Sequence, residues 1–271
     1  KFRMNYKITT LAENCVYGKG LQGEHGLSLL VETAEHKVLF DTGASDLFIR
    51  NARLMGIDLA EVDLVVLSHG HRDHTGGLHH FLKLNSRARI VCKKDIFAPK
   101  YKEERENGMM HADVHDDKRF WFVDTCTEIV PGVFVFPEIK ITDKVDTHFE
   151  RFFVEVDGEK VDDSFNDELA LVLKEEKSVS LLSACSHRGI TNMMRTVQEV
   201  FPGMSFKLVL GGFHIHNAEN DKFNAISAFL GVNLPKRLGV CHCTGVDKYA
   251  MFRQQFNDRV FYNYTGWVET I

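Results

Sequence analysis

Ser68-His69-Gly70-His71-Arg72-Asp73-His74-Thr75-Gly76-Gly77 sets three imidazoles and one carboxylate within six consecutive positions, directly after the apolar run 62–67. Imidazole nitrogen and carboxylate oxygen are the donors that borderline divalent cations prefer. Four such groups crowded together repel or compete unless a positive charge sits among them. His69 and His71, two apart at a strand end, point to one side, while Asp73 and His74 belong to the turn that follows. Two donor pairs aimed at slightly different points suit a two-metal site. A polar loop rich in histidine by accident is the plain alternative. The order of strand, loop, Gly-Gly and helix favours the metal.

The same order recurs along the chain. Lys37–Phe40 leads into Asp41-Thr42-Gly43 and a helical pattern of Leu47, Ile49 and Leu54. Residues 178–184 lead into Cys185-Ser186-His187-Arg188-Gly189 and a helix with Ile190, Met193, Met194 and Val197 on one face. Residues 207–210 lead into Gly211-Gly212-Phe213-His214, then a helix through Phe223, Ile226 and Leu230. Arg237–Val240 leads into Cys241-His242-Cys243-Thr244-Gly245, then a helix bearing Tyr249, Phe252 and Phe256. This pattern predicts the α/β class, in which ligands collect outside the carboxyl ends of strands. A lone histidine after a strand is usually structural. His187, His214 and His242 occupy three such positions in a chain that already carries a metal-type cluster, so all three are candidates. The first forty residues and the tail 259–271 alternate and predict antiparallel strands.

The stretch 95–167 breaks the rhythm, with charge at 100–105 and 113–118 and the aromatic run Phe120-Trp121-Phe122. It reads as an insertion covering the site within a single domain, 1–271; a surface elaboration without a catalytic role is the alternative. A hydrophobic content of 44% supports a sizeable core, and a net charge of −5 argues against the broad basic groove of a nucleic-acid enzyme. No apolar run approaches a membrane span and no signal-peptide pattern opens the chain, so the expectation is a cytoplasmic protein without a membrane partner. A chain of this length folds on its core alone, so the six cysteines are expected reduced. Cys241 and Cys243, bracketing His242, read as small packing residues near a site, with thiolate ligation the alternative.

Phe40-Asp41-Thr42-Gly43, the His-X-His-X-Asp-His cluster at 69–74, Ser186-His187 and Cys241-His242-Cys243-Thr244-Gly245 together resemble the metallo-β-lactamase superfamily over nearly the whole length. The resemblance implies a four-layer αβ/βα sandwich with a metal site along one edge between two sheets. It implies that His69, His71 and His187 hold one metal and that Asp73, His74 and His242 hold a second. Asp41 would sit behind them and orient a ligating imidazole. One or two divalent ions are expected, zinc by default, with iron or manganese suited to the same donors. More narrowly, Cys-Ser-His, Gly-Gly-Phe-His and Cys-His-Cys-Thr-Gly resemble the subgroup labelled dihydropterin–ribofuranosylaminobenzene-phosphate synthase, which implies a role in making a methanopterin-like cofactor. One place departs from the superfamily. Where many members carry a bridging aspartate or cysteine after the fourth strand, this chain has Gly211-Gly212, with His214 the nearest candidate ligand. The count of one metal or two stays open at that point. Phe40-Asp41-Thr42-Gly43-Ala44-Ser45 also resembles an aspartic-protease active site, but such a site needs two carboxylates sharing a proton, and the chain has one Asp-Thr-Gly.

The leading expectation is a metal-dependent hydrolase acting on a small ester, phosphoester or lactone. A metal with an open position lowers the pKa of bound water toward about 7. Asp73 would ligate and orient the water, and His214 would donate to a developing oxyanion or a leaving group. Thr244 is a candidate contact for a substrate anion, with a helix cap as its other reading. Two alternatives stand beside this one: a transferase condensing a dihydropterin with a ribofuranosylaminobenzene phosphate, and an iron-containing redox or non-catalytic metal protein. The expected partner is a small, anionic molecule; specificity and oligomeric state lie in surfaces the motifs do not encode.

Overall fold

Alternate residues of a strand face opposite sides of its sheet, and in this chain both sides are apolar. The computed structural model describes residues 5–271. Its first strands are β1 (Lys7–Ala12), β2 (Ser28–Glu32), β3 (Lys37–Phe40), β4 (Leu64–Val66) and β5 (Arg89–Cys92). Leu29, Val31, Val38, Phe40 and Val66 enter one buried cluster, while Leu30, Leu39 and Val65, between them in sequence, enter another. The middle of the chain supplies β6 (Lys100–Lys102), β7 (Arg105–Glu106), β8 (Phe120–Phe122), β9 (Thr127–Val130), β10 (Val133–Phe136), β11 (Phe152–Val156) and β12 (Glu159–Asp162). The remainder supplies β13 (Ala170–Lys174), β14 (Ser178–Ser183), β15 (Ser205–Gly211), β16 (Arg237–Val240), β17 (Val260–Tyr262) and β18 (Val268–Thr270).

Two seven-stranded sheets result, ordered β18-β1-β2-β3-β4-β5-β8 and β17-β16-β15-β14-β13-β10-β9. Their facing sides share one core, in which Phe40 and Val66 of the first sheet join Leu171, Leu182 and Leu210 of the second. The helices α1 (Leu47–Leu54), α2 (Arg72–Thr75) and α3 (Leu78–Leu84) follow strands of the first sheet, and Phe48 and Phe81 pack on its outer side. The helices α4 (Ile190–Val200), α5 (Asn220–Val232) and α6 (Val246–Phe256) cover the second through Met193, Met194, Phe223, Ile226 and Phe252. Each such side chain contributes about 1.5–3 kcal/mol by leaving water. The architecture is the expected αβ/βα sandwich.

β3, β4 and β5 run parallel, as do β14, β15, β16 and β17, so the loops 68–74, 185–189, 211–214 and 241–245 open on the carboxyl ends of parallel strands. The tail corrects one expectation. β18 pairs antiparallel with β1, but β17 is parallel to β16. The helix α6 between β16 and β17 returns the chain across the sheet's outer face, and a strand that starts again from the same end is parallel. The stretch 95–167 divides into two kinds of structure. Its arms form a separate four-stranded sheet, β12-β11-β6-β7, while β8 extends the first main sheet and β9 and β10 the second. No helix among the described residues is long and apolar enough to cross a membrane.

Candidate metal centre

The loop after β4 turns three imidazoles inward together. His69 and His71 have ring centroids 4.7 Å apart, and His69 and His74 4.4 Å. The second sheet brings His187, from the loop after β14, to 5.0 Å from the His71 ring, and His242, from the loop after β16, to 5.0 Å from the His74 ring. Donor atoms of His69, His71 and His187 lie within 4.8 Å of one another, and those of Asp73, His242 and His25 form another such group. Asp73 Oδ2 stands 3.2 Å from His242 Nε2, 3.6 Å from His74 Nε2 and 3.3 Å from His25 Nε2. The approach to His242 is an ionic contact without hydrogen-bond alignment.

These donors fit metal ions on a direct test. The Nε2 atoms of His69, His71, His74, His187 and His242 are all buried without a hydrogen-bond partner among the described residues. Leaving a buried polar atom unpaired costs about 1–3 kcal/mol, so five converging on one place call for a cation. The opposite ring nitrogens of four of them are occupied. His74 Nδ1 meets Asp41 Oδ2 at 2.7 Å, His187 Nδ1 the His148 carbonyl at 3.0 Å, His242 Nδ1 the Asn14 Oδ1 at 2.7 Å, and His69 Nδ1 the Ser68 Oγ at 2.9 Å. Placing the proton on Nδ1 satisfies every one of these contacts and leaves each Nε2 lone pair free. Ser68 Oγ in turn donates to Asp41 Oδ2 at 2.7 Å, so Asp41 orients His74 directly and His69 through the serine.

Electrostatics favours the neutral ring at His69, His71 and His187 and opposes it at His74. Burial and the neighbouring imidazoles hold His69 and His187 well below the ordinary histidine range, and burial takes His71 down to about 3. Burial opposes a charge on Asp73, but His74 and His242 overcome it and keep the carboxylate ionised. Against burial, Asp73 and Asp41 raise His74.

Each donor-bearing loop is pinned by a buried carboxylate that accepts a backbone N–H. Ser68 N donates to Asp41 Oδ1 at 2.7 Å, Gly70 N to Asp167 Oδ2 at 2.6 Å, His187 N to Glu168 Oε1 at 2.7 Å and His242 N to Glu13 Oε1 at 2.6 Å. Hydrogen bonds to ionised acceptors contribute about 1.5–3 kcal/mol each. Lys100 compensates Asp167 and Asp163 from β6, at 3.0 and 2.6 Å, which ties the extra sheet to the histidine loop. Burial pushes the Glu168 carboxyl up to about 7 and raises Glu13 as well. Backbone strain gathers here too: Asp41, Ser186, His214 and His242 all have φ between 41° and 59°, a region that non-glycine residues rarely occupy.

The structure thus brings His69, His71, Asp73, His74, His187 and His242 together, with Asp41 beneath them. Three hydrogen bonds engage the Asp41 carboxylate, which leaves it no protease-type role. His214 lies on the cleft wall, with Nδ1 3.2 Å from Cys185 Sγ. One expectation is corrected. Thr244 is fully buried, and its hydroxyl accepts the Phe213 N–H at 2.9 Å, because the tight turn after β16 folds it back onto the β15 loop and away from the cleft. The helix that follows has Gly245 at its cap. Cys241 does pack in the core, but Cys243, two residues on, faces the cleft with its Sγ 3.0 Å from that of Cys185. His25, Glu13, Glu168 and Asp167 also belong to the site without a local sequence signal, since each meets it only through the fold.

Above the donors lies an open cleft of about 740 Å³. The extra sheet forms one wall, with Phe152 5.0 Å from the His71 ring. Arg72, Lys102 and Arg105 line it, and among the described residues none of their charged ends has a hydrogen-bond or ion-pair partner. Glu106, Glu150 and Glu219 share the lining, while Arg151 is held by Glu103 and Lys222 by the Thr147 carbonyl.

Residues 21–162 match the model of the metallo-beta-lactamase superfamily. The chain is 31% identical to the 7,8-dihydropterin-6-methyl-4-(beta-D-ribofuranosyl)-aminobenzene-5'-phosphate synthase of Methanocaldococcus jannaschii, over 94% of this chain and 92% of that one. Among solved structures it is similar to a metal-dependent hydrolase of the beta-lactamase superfamily, with a TM-score of 0.86 and 32% identity, covering 97% of this chain and 98% of the other. A metallo-beta-lactamase fold protein from Bacillus subtilis shares the fold, with a TM-score of 0.62 at 13% identity, covering 99% of this chain and all of that one.

Proposed function

The chain belongs to the metallo-β-lactamase superfamily, and on that premise we propose that it is a metal-dependent transferase condensing a dihydropterin with a ribofuranosylaminobenzene phosphate. The observation that carries this reading is the trio Arg72, Lys102 and Arg105, unpaired above the imidazole donors in a cleft roomy enough for two reactants. Both reactants are anionic, and cations without an internal hydrogen-bond or ion-pair partner are free to receive phosphate oxygens, although Lys102 also lies over the Phe152 ring. The synthase of Methanocaldococcus jannaschii, similar over nearly the whole chain, supports the same choice.

His69, His71 and His187 would hold one divalent ion, and Asp73, His74 and His242 a second. Bound there, the ions would neutralise anionic oxygens and acidify coordinated water. In the condensation the aromatic amine nitrogen bonds to the pterin methylene carbon, the carbon–oxygen bond to diphosphate breaks, and the nitrogen loses a proton. His25, exposed in the cleft with its Nε2 3.3 Å from the Asp73 carboxylate, accepts that proton and passes it to solvent, while Asp73 stays ionised as a ligand and orients the imidazole. Arg72, Lys102 and Arg105 hold the phosphate-bearing ends so that nitrogen and carbon meet. Phe152 and the sheet behind it screen the reacting atoms from water on one side.

Hydrolysis is the second reading, supported by the similar solved metal-dependent hydrolase. One assay separates the two. Metal-loaded protein is given dihydropterin-6-methyl diphosphate with and without the ribosyl aminobenzene phosphate. The expected result is diphosphate release and a coupled product only when both are present. Diphosphate or phosphate released equally well from a single substrate, with no coupled product, would establish a hydrolase instead.

A further inference from the structure

Cys185, His214 and Cys243 come from the loops after three adjacent strands, β14, β15 and β16, and meet beside the imidazole cluster. The two sulfurs are 3.0 Å apart, and Cys185 Sγ is 3.2 Å from His214 Nδ1. All three donor atoms lie within 4.8 Å of one another. The backbone is shaped around them. His214 N donates to Cys243 Sγ at 3.2 Å, the kind of contact that steadies a coordinated thiolate. A Cβ on Gly212 would lie 2.6 Å from Cys243 Sγ, so glycine keeps the space that sulfur occupies. His214 itself takes a left-handed φ of 51°, which turns its ring to the sulfurs. Core packing accounts for one buried thiol. It does not account for two thiols and an imidazole meeting edge to edge on a cleft wall.

Two sulfurs and one imidazole nitrogen are the donors of a soft or borderline cation, whereas the carboxylate and imidazoles next door suit harder ions equally well. Cys185 also lies within 4.8 Å of the donor atoms of His69 and His74. We infer that Cys185, His214 and Cys243 form a thiolate–imidazole metal site, selective for a thiophilic cation and joined to the histidine centre through Cys185. Binding releases both thiol protons to solvent and changes no oxidation state. Zinc at 2.3 Å from each sulfur separates two sulfurs by about 3.8 Å, so the sulfurs, 3.0 Å apart, part by less than about 1 Å to admit it. The inference rests on the reading above only for the sharing through Cys185, because Cys185, His214 and Cys243 lie outside its set of donors.

The test uses reduced, metal-free, full-length protein titrated anaerobically with Co²⁺ alone. The expected result is a near-ultraviolet thiolate-to-cobalt charge-transfer band that grows as two thiols become protected from a thiol reagent. Cys243→Ser should cut that band to about half, while His71→Ala should leave it in place. Visible cobalt bands without charge transfer, or two thiols that stay fully reactive in the loaded wild-type protein, would overturn the inference and leave the histidine centre standing. A Cys185–Cys243 disulfide, seen as a mass deficit of about 2 Da when the cobalt-loaded protein is moved from reductant into air, would overturn it in favour of a redox pair. Wild-type spectra and thiol counts decide the matter even if a variant fails to fold. Charge transfer in a protein without condensation activity would sink the proposed reaction alone.

Discussion

The two sheets build one metal edge in different ways. The first delivers His69, His71, Asp73 and His74 from a single loop, so local sequence sets their relative positions. The second delivers His187, His214 and His242 from separate loops, so their meeting depends on the parallel register of β14, β15 and β16 and on Glu168 and Glu13 holding the His187 and His242 amides. A contiguous motif announces a metal site, but buried carboxylates from distant segments close it. Four of them do the same job at three loops, two at 68–74 and one each at 185–189 and 241–245, which identifies positioning by carboxylate acceptors as the common device.

If the loop of the first sheet were self-sufficient, removing the second sheet's donor would be harmless. The expected outcome is the opposite: His71→Ala and His187→Ala should each lose metal, and activity should fall by about 10³-fold or more, with circular dichroism showing a folded protein. Full metal content in His187→Ala alone would mean that one loop holds the ion by itself. Lys100→Met attacks the first loop through its support. It leaves Asp163 and Asp167 buried without their cation, and denaturant titration should show a loss of about 3–5 kcal/mol. Asp41→Asn keeps the shape but presents a donor where His74 needs an acceptor, and metal affinity by competitive chelation should fall about 10–100-fold.

Acid probes both halves together. His71 has its folded value near 3, below the unfolded value of about 6.5, so between those pH values the unfolded chain takes up a proton that the folded chain refuses. His69 and His187 shift in the same direction, while His74 opposes them. The Tm of metal-free protein should therefore fall as pH drops from 7 to 4.5; a Tm unchanged or rising would show that these imidazoles are not buried neutral. The smallest effect is expected at the rim. Arg105→Ala should raise KM for the phosphorylated substrate about three- to tenfold with kcat unchanged, since an exposed cation contributes mainly to binding.

The contrast between the sheets also explains what could be read from sequence. The fold was legible because period-2 apolar strands alternate with helices carrying one apolar face, and because the cluster at 69–74 compresses its chemistry into one stretch. His187 and His242 were legible by position, each in a loop after a strand. The parallel direction of β17 was not, because alternation is the same for either direction and the preceding helix decides it. The difference between Cys241 and Cys243 was hidden for a similar reason. Cys241 and Cys243 look equivalent in sequence, yet the turn after β16 buries one and exposes the other to Cys185, 58 residues away. Glu13 and Asp167 could not be found locally, since their partners lie 229 and 97 residues distant.

The account stands on one claim: that donors from both sheets converge on bound metal. The most direct measurement is an anomalous difference map from crystals of the metal-loaded protein, collected at the absorption edge of the bound metal. The expected map has one peak within coordination distance of Nε2 of His69, His71 and His187, and a second beside Asp73, His74 and His242. A map with no peak at these imidazoles, in a protein that retains activity, would contradict it.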